Sequence, residues 1–420
     1  MGTTKLTIEG RKFRVNGKLT YEEIPESKEK MRGLLMNARF IQGLFESDNP
    51  VFQSRYGKNF DPDTNTSEMI EALPQWYAKG LRCITVGMQG GGSCFTVKGE
   101  EMENNPFSFD GLEIDLNYLN RLDRIITACD KLGMVVIVSY FYGANTRNLD
   151  GAQAILNIVR KMSRILKDKA YTNVMIEVAN EYNLSCFNHL PIIKEPQGMV
   201  ALIDLARECS GGMLVGCSPY GGTLDEEVCK ASDVVFLHGN GQSRGKLYNL
   251  ICRAQEFAGE KPIVINEDSQ ALGQLTVCEE LATSWGYYNN MTKQEPPCDW
   301  GITEGEDRFF AYRMAEMIGI RQEPIPESEW YYFQGLEPHM HYQNQRFPRV
   351  ASLYPEKINF VRFFQNDKLI YVAYDESFLV NYVENWWQKS VLTETGDIWK
   401  AELHLRCGEV KVLEQRIENL

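Results

Sequence analysis

The sequence predicts an α/β protein built on a (β/α)8 (TIM) barrel, with an N-terminal β-hairpin and a small C-terminal all-β domain. Three observations support this fold class. Apolar runs typical of buried strands alternate with stretches of helical periodicity between about residues 34 and 318. Beyond residue 350 the apolar period changes to two, as in half-buried strands. Near the N-terminus, alternating runs flank Gly10 and Arg11, and Asn16-Gly17 marks a second turn.

The alternating region can be divided into elements in chain order. Residues 116–132 illustrate the helices, because their apolar residues recur on one face and a glycine follows at position 133. The predicted strands are 34–41, 81–88, 134–142, 173–180, 213–219, 233–238, 261–267 and 283–288. The predicted helices are 67–79, 116–132, 151–167, 198–209, 244–258, 275–282 and 307–318.

The number and order of these elements favour a closed barrel over a doubly wound open sheet. Eight parallel strands close a (β/α)8 barrel. A doubly wound sheet usually has a glycine-rich phosphate turn after its first strand, whereas here that strand continues into RFIQGLFESDNP. Gly90-Gly91-Gly92 follows the second strand, but it lacks the GxGxxG spacing.

The C-terminal segment reads as a separate β-rich unit. Residues 320–329 (IRQEPIPESE) are rich in proline and glutamate, which is typical of a linker. Five short runs of period two follow. We therefore expect two domains, the barrel with its hairpin over residues 1–322 and a sandwich-like domain over residues 323–420.

Charge and composition exclude several classes of partner. The chain has 420 residues and a net charge of −13, with no basic cluster, which argues against nucleic acid or anionic membrane as the main partner. No apolar run approaches the ~20 residues of a membrane span. The N-terminus lacks a signal core, and several of the 11 cysteines fit apolar patterns. We expect a cytoplasmic protein, or a secreted or periplasmic one if a signal peptide has been removed.

Two strand ends carry the residues that indicate chemistry. NVMIEVANEYN and KPIVINEDSQ are apolar strand runs that both end in Asn-Glu, at Glu181 and Glu267. In a (β/α)8 barrel the active site lies at the carboxyl ends of the strands, so both carboxylates belong at one rim. One carboxyl to protonate a leaving oxygen and a second to attack, or to activate water, is what glycoside hydrolysis requires.

The remaining strand ends are rich in polar and aromatic side chains. Sugar hydroxyls need polar partners, and the apolar face of a pyranose packs on an aromatic ring. We find no nucleotide motif, no HEXXH sequence and no paired-histidine metal site, so we expect neither metal nor organic cofactor. The candidate substrate-binding residues are Arg39, Gln89, Tyr142, Asn180, His238, Asn240 and Trp285.

These motifs resemble the clan of retaining (β/α)8 glycoside hydrolases that includes cellulases, mannanases, β-galactosidases and β-glucuronidases. The resemblance covers about residues 30–320, and it implies a retaining β-glycosidase acting on an oligosaccharide, polysaccharide or small glycoside. By resemblance, Glu181 is the general acid/base, Glu267 the nucleophile and Asn180 the partner of the sugar 2-hydroxyl. Trp285 would lie beneath the ring at the cleavage point, and His238 would neighbour the nucleophile.

The chain departs from the clan at strand two, where many members carry an arginine that fixes the nucleophile. The segment here reads ITVGMQGG, so we expect Arg39 of strand one to take that role. The mechanism also needs the two carboxyls to differ in pKa. We expect Glu181 in the more desolvated surroundings, and Glu267 ionised beside Arg39, Asn180 or a tyrosine.

Three alternatives stay open at this point. Glu177 lies on the same face of strand four as Glu181 and reads as structural, with Arg82 as its partner. The protein could be a barrel that binds carbohydrate without catalysis, or a metal-dependent lyase or isomerase with ligands at the rim. In the C-terminal domain we expect no catalytic residue. Trp386 and Trp387 should point to opposite faces of a strand, with sugar binding as a lesser possibility. The sequence does not indicate the oligomeric state.

Overall fold

The computed structural model describes residues 2–55, 58–91, 104–338, 340, 341 and 343–418. The N-terminal hairpin is confirmed and gains a third strand, so that three antiparallel strands form a small sheet. These strands are β1 (Leu6–Glu9), β2 (Lys12–Val15) and β3 (Lys18–Leu19).

The alternating region contains all eight predicted parallel strands, with a short β5–β6 hairpin after the first. Most of the eight are buried along their whole length, as expected for strands covered on both faces. The strands are β4 (Asn37–Arg39), β5 (Ser54–Arg55), β6 (Lys58–Asn59), β7 (Cys83–Gly87), β8 (Val135–Tyr142), β9 (Val174–Asn180), β10 (Leu214–Gly216), β11 (Val235–His238), β12 (Ile263–Glu267) and β13 (Gly286–Tyr287).

Each of the eight strands lies beside its neighbours in the chain. One six-stranded parallel sheet has the order β10-β9-β8-β7-β4-β13, and β11 pairs with β12. A parallel bridge between Val264 and Ser284 links β12 to the segment before β13. At the remaining junction the Asp233 amide donates to the Val215 carbonyl at 2.8 Å. The parallel α/β architecture is confirmed, and the order of neighbours agrees with the predicted barrel.

The first and last of the eight strands are shorter than predicted. The predicted strand 34–41 is extended only over β4, because Phe40 leaves the β region (φ −108°, ψ 46°) and a 3-10 helix begins at Ile41. The predicted strand 283–288 is reduced to β13. Apolar composition alone does not locate such a change of backbone direction.

The helices follow the predicted periodicity, and two of them, α3 and α8, have the predicted bounds. Helix α2 begins five residues early because the Asp61 side chain accepts from the Thr64 amide and Pro62 occupies the first turn. Helix α7 was not predicted. No described helix is long and apolar enough to cross a membrane. The helices are α1 (Pro50–Gln53), α2 (Pro62–Ala78), α3 (Leu116–Leu132), α4 (Gly151–Asp168), α5 (Pro191–Lys194), α6 (Pro196–Ser210), α7 (Glu226–Ala231), α8 (Arg244–Ala258), α9 (Leu272–Glu280), α10 (Asn290–Lys293) and α11 (Glu306–Ile318).

The C-terminal segment is all-β and has an apolar core of its own, which includes Phe363, Trp399 and Leu403. Its main sheet is antiparallel, in the order β18-β17-β22-β23. The domain boundary near residue 322 stays a prediction. The strands are β14 (Tyr331–Gln334), β15 (Gln345–Arg346), β16 (Arg349–Ser352), β17 (Ile358–Gln365), β18 (Lys368–Ala373), β19 (Tyr382–Glu384), β20 (Trp387–Gln388), β21 (Val391–Leu392), β22 (Ile398–Leu405) and β23 (Val410–Arg416).

A buried ion pair joins the β-rich segment to the α/β region. Arg349 of β16 lies 2.5 Å from Glu306 at the start of α11, and both side chains are almost fully buried. Burial raises the pKa of Glu306 to about 7, although Arg349 opposes the shift. Losing one partner of such a pair leaves a charge without compensation in a medium of low polarity.

We expect Arg349→Ala to lower the free energy of unfolding by about 3–5 kcal/mol, because Glu306 loses its guanidinium and must either stay charged without a partner or bind a proton inside the protein. Urea denaturation at pH 8 measures the loss. The matched control is Arg362→Ala, whose pair with Glu402 is partly exposed and should contribute about 0–1 kcal/mol. Equal losses in the two variants would contradict the structural role of the buried pair.

Candidate active site

The ends of β9, β11 and β12 bring two carboxylates and an imidazole together. Glu181 follows the last residue of β9, Glu267 ends β12 and His238 ends β11. One ligand atom from each of these side chains lies within 4.8 Å of the others. Parallel strands present their carboxyl ends at the same edge, which explains why residues far apart in the chain meet here.

Arg39 lies at the centre of this group and is almost completely buried. Its Nε is 2.6 Å from Oε2 of Glu267, and its Nη2 donates to Oδ1 of Asn180. Its Nη1 is 3.9 Å from Oε2 of Glu177. A guanidinium offers donors in a rigid planar fork, so one side chain holds Glu267 and Asn180 and also lies near Glu177.

Glu267 is more buried than the sequence analysis anticipated. Its side chain is 10% exposed and that of Glu181 is 12% exposed, so Glu181 is not the clearly desolvated member of the pair. Burial raises the pKa of Glu267 above its ordinary value, although Arg39 and His238 oppose the shift. Asn240 donates to Oε1 of Glu267 at 2.8 Å. With Arg39 on one oxygen and Asn240 on the other, the ionised form of Glu267 is well satisfied.

His238 connects the two carboxylates. Its Nδ1 donates to Oε1 of Glu181 at 3.1 Å and lies 3.9 Å from Oε2 of Glu267. Burial of the ring lowers the pKa of His238, but Glu267 and Glu181 together raise it above its ordinary value. A protonated imidazole at this position stabilises whichever carboxylate is ionised.

The backbone of Glu181 adopts a conformation that few non-glycine residues occupy. Its φ is +51°, in the left-handed region, directly after the extended residues of β9. Its amide donates to the Ser218 hydroxyl at 3.4 Å. Left-handed residues of this kind cost about 1 kcal/mol or more and cluster at functional sites, so the turn that aims Glu181 is held by its surroundings.

Glu177 belongs to the same hydrogen-bonded network, but its predicted partner is wrong. Arg82 pairs with Glu23 at 3.0 Å and stacks on the Tyr77 ring, away from Glu177. Glu177 instead accepts from the Ser218 hydroxyl at 2.6 Å and from Nδ2 of Asn266 at 2.7 Å. Neither contact was predicted from sequence, although Asn266 directly precedes Glu267 and could have been suspected.

Tyr142 lies beside the site, whereas Gln89 has a scaffolding position. Tyr142 ends β8 and is paired in register with Asn180. The Gln89 amide donates to Asn105 and to the Asn145 carbonyl, and its Oε1 accepts from the Tyr142 amide at 2.9 Å. Gln89 is 1% exposed, so its polar atoms connect loops, and the expectation of a sugar contact is not met.

Trp285 does not form the expected platform. Its ring is fully buried and packs on Tyr287 and Phe310, the latter from α11, so it offers no face to a bound sugar. Its indole N–H donates to Oδ2 of Asp268 at 2.8 Å. Burial raises the pKa of Asp268 to about 7, against the Trp285 and Ser269 hydrogen bonds. Through its hydrogen bond to Asp268, Trp285 therefore supports the end of β12, where Glu267 lies.

Glu181, His238 and Glu267 also make up a possible set of metal ligands, since carboxylate oxygens and imidazole nitrogens suit Zn²⁺ or Mn²⁺. Oε2 of Glu267, however, already forms an ion pair with Nε of Arg39, which lies 2.6 Å away. A bound divalent ion would have to share that oxygen with the guanidinium.

Comparison with known proteins extends these observations. The sequence model of the cellulase family (glycosyl hydrolase family 5) matches residues 44–189, a range that includes Asn180 and Glu181 but not Glu267. The resemblance to glycoside hydrolases is confirmed. No curated protein matches the chain by sequence.

Solved structures with a similar fold are distant in sequence. A protein named as a candidate glycoside hydrolase from Bacteroides vulgatus has a TM-score of 0.53 and 9% identity, with 98% of this chain and 76% of that one covered. A β-glucuronidase from Parabacteroides merdae has a TM-score of 0.43 and 14% identity, with coverage of 99% and 50%. The chain thus spans about half the length of that enzyme. At such identity, the Bacteroides vulgatus protein indicates a shared fold only.

We expect Asp268→Asn to change the pH dependence of stability. A carboxyl with a pKa of about 7 in the folded protein and about 3.9 when unfolded binds more protons when folded. Its contribution is therefore full below about pH 4 and is lost as the pH rises to about 7. Relative to the wild type, the variant should gain stability between those values, by up to about 4 kcal/mol.

Urea denaturation between pH 4 and 8 checks this expectation. Asp204→Asn, which alters an exposed carboxyl of α6, serves as the control and should show little change in slope. If Asp268→Asn differed from the wild type by the same amount at every pH, Asp268 would not carry the raised pKa.

Proposed function

We propose that the chain is a retaining β-glycoside hydrolase, with Glu181 as the general acid/base and Glu267 as the nucleophile. One observation carries the proposal: carboxylate oxygens of the two residues lie within 4.8 Å of each other. Retaining enzymes hold their carboxyl groups about 5–5.5 Å apart, whereas inverting enzymes need about 6.5–9.5 Å to admit water. The match to the cellulase family supports the same class of reaction.

In the first step, the ionised Glu267 attacks the anomeric carbon and forms a glycosyl ester. The bond from that carbon to the leaving oxygen breaks, and Glu181 transfers its proton to this oxygen. Arg39 and Asn240 hold the two oxygens of Glu267, so the carboxylate needs no rearrangement before attack. His238 lies near both carboxylates, and its hydrogen bond to Glu181 stabilises Glu181 when this carboxyl becomes ionised.

In the second step, Glu181 acts as a base. It removes a proton from water, the hydroxide attacks the anomeric carbon, and the ester bond to Glu267 breaks with its electron pair returning to the carboxylate. Two inversions at the same carbon retain its configuration. The polar edge formed by Asn180, Tyr142 and Asn240 suits the hydroxyls of an oligosaccharide, polysaccharide or small glycoside, and these steps need no metal or organic cofactor.

A metal-dependent lyase or isomerase is the second candidate, because Glu181, His238 and Glu267 could bind a divalent ion. Incubation with a chelator during assays on a panel of nitrophenyl glycosides separates the two. Glycosidase activity that survives the chelator supports the retaining mechanism. Activity that is lost and returns with Mn²⁺ or Zn²⁺ supports the metal enzyme.

We expect Glu267→Ala to lower kcat on an aryl β-glycoside by a factor on the order of 10⁴ or more. Azide should restore turnover and yield a glycosyl azide of inverted configuration, because a small anion takes the place of the missing nucleophile. Proton NMR of the product reports the configuration. Glu280→Ala, at an exposed glutamate of α9, is the control. Near-normal turnover by Glu267→Ala without azide would exclude its nucleophilic role.

We expect Glu181→Ala to discriminate between leaving groups. Activity on a 2,4-dinitrophenyl glycoside should fall little in the first step, because this leaving group needs no proton. Activity on a disaccharide should fall by about 10²–10⁴. Azide should here give a glycosyl azide of retained configuration, since Glu267 still forms the intermediate. If Glu181→Ala gave the inverted azide and Glu267→Ala the retained one, the two roles would have to be exchanged.

A further inference from the structure

A hairpin of the β-rich segment is anchored at the edge that carries the active-site residues. Strands β19 and β20 form this 382–388 hairpin, and Asn385 and Trp386 make its turn. Oδ1 of the buried Asn385 accepts from the Gly241 amide at 2.6 Å, and its Nδ2 donates to the Gln242 carbonyl at 2.8 Å. Gln270 donates to the Asn385 carbonyl. The hairpin thus contacts the loops that follow His238 and Glu267.

Two side chains of the hairpin approach these loops closely. A methyl group built on Gly241 would lie 2.7 Å from Oε2 of Glu384 and 3.8 Å from Nε1 of Trp386. The backbone of Gly241 also has a φ of +74°, which favours glycine. Gly241 directly follows Asn240, the donor to Glu267. A side chain at this position would crowd the Glu384 carboxylate and strain the backbone, so glycine suits the close approach of the hairpin to this loop.

Glu181 acts electrostatically on Glu384 of the hairpin and on Tyr220. Burial raises the pKa of Glu384, the Trp386 indole N–H lowers it by donating to the carboxylate, and Glu181 raises it by repulsion. Tyr220, which is 43% exposed, has its pKa raised by burial and then by Glu384 and Glu181. Glu384 and Tyr220 therefore lie within electrostatic reach of Glu181.

The turn also explains why the prediction for the two tryptophans is wrong. Their rings are stacked, with centroids 6.0 Å apart and planes 23° apart, and do not point to opposite faces. Alternation holds only within a strand, and Trp386 precedes the start of β20 at Trp387. Trp387 packs against the cluster of Met291, Met340 and Phe347, and so supports Trp386.

We propose that the 382–388 hairpin forms the wall of the subsite for the leaving group, where Trp386 stacks on a sugar ring and Glu384 accepts hydrogen bonds from its hydroxyls. The inference rests on the proposed function, because the acid that protonates the leaving oxygen defines that side of the site. The Trp386 ring is partly exposed, and the hydrogen bonds between the Asn385 side chain and the backbone of Gly241 and Gln242 hold the turn in place. The ring is therefore suited to stacking on a sugar. The Glu384 carboxylate disfavours a uronic acid there by charge repulsion, so the leaving sugar is neutral.

The test compares two substrates that share a glycone and differ in leaving group. One is the β-glycosyl fluoride, and the other is the β-linked disaccharide of the same neutral sugar, each tested in the gluco, manno and galacto series. We expect Trp386→Ala to lower kcat/KM for the disaccharide by ~10-fold or more. The change for the glycosyl fluoride should stay within about 2-fold, since its one-atom leaving group does not stack on Trp386. Trp386→Phe should retain most of the disaccharide activity.

Two further variants complete the design. Glu384→Gln should narrow the preference for the neutral disaccharide over one with a uronic acid at the reducing end, because it removes a negative charge. Leu369 is an exposed apolar residue of β18 in the same segment, so Leu369→Ala should change the rate of hydrolysis of neither substrate. The inference would be overturned if Trp386→Ala hydrolysed the disaccharide as well as the wild type does. It would also be overturned if Trp386→Ala and Trp386→Phe each lost equal activity on both substrates. A wild type that hydrolyses neither substrate would instead overturn the proposed function.

Discussion

The buried ion pair between Arg39 and Glu267 is the interaction on which the site depends. Moving two such charges out of water costs several kcal/mol per ion, and their attraction offsets this only when the other polar atoms find partners too. Here Arg39 also donates to Asn180 and lies near Glu177. Asn240 donates to the second carboxylate oxygen of Glu267. The ends of β4, β9 and β12 must therefore stay in register for the pair to be tolerated at all.

The same constraint gives the two glutamates different environments. Glu267 has a cation on one oxygen and an amide on the other, whereas Glu181 stands on a left-handed residue with His238 as its neighbour. A firmly held carboxylate suits attack on carbon, and a carboxyl beside an imidazole suits proton transfer in both directions. The proposed division of roles rests on these contacts, since the two glutamates differ little in burial.

The sequence predicted what short-range patterns determine. Helices α3 and α8 have the predicted bounds because their apolar faces lie within the helices and their capping residues directly flank them. Glu181 and Glu267 were identified because a strand end is a local feature. The role of Trp285 could not be predicted from such local features, because the direction of its ring depends on Phe310 of α11. The approach of Glu384 to Glu181 likewise depends on a contact between distant segments.

Covalent trapping tests the central claim most directly. The protein is treated with 2,4-dinitrophenyl 2-deoxy-2-fluoro-β-glycosides of the gluco, manno and galacto series, in which the fluorine slows breakdown of the intermediate. Mass spectrometry of the digested protein then locates the label. We predict one fluorosugar on the peptide that contains Glu267, and none on the peptide that contains Glu181. A label on Glu181, or turnover of the parent glycoside with inverted configuration and no label, would contradict the account.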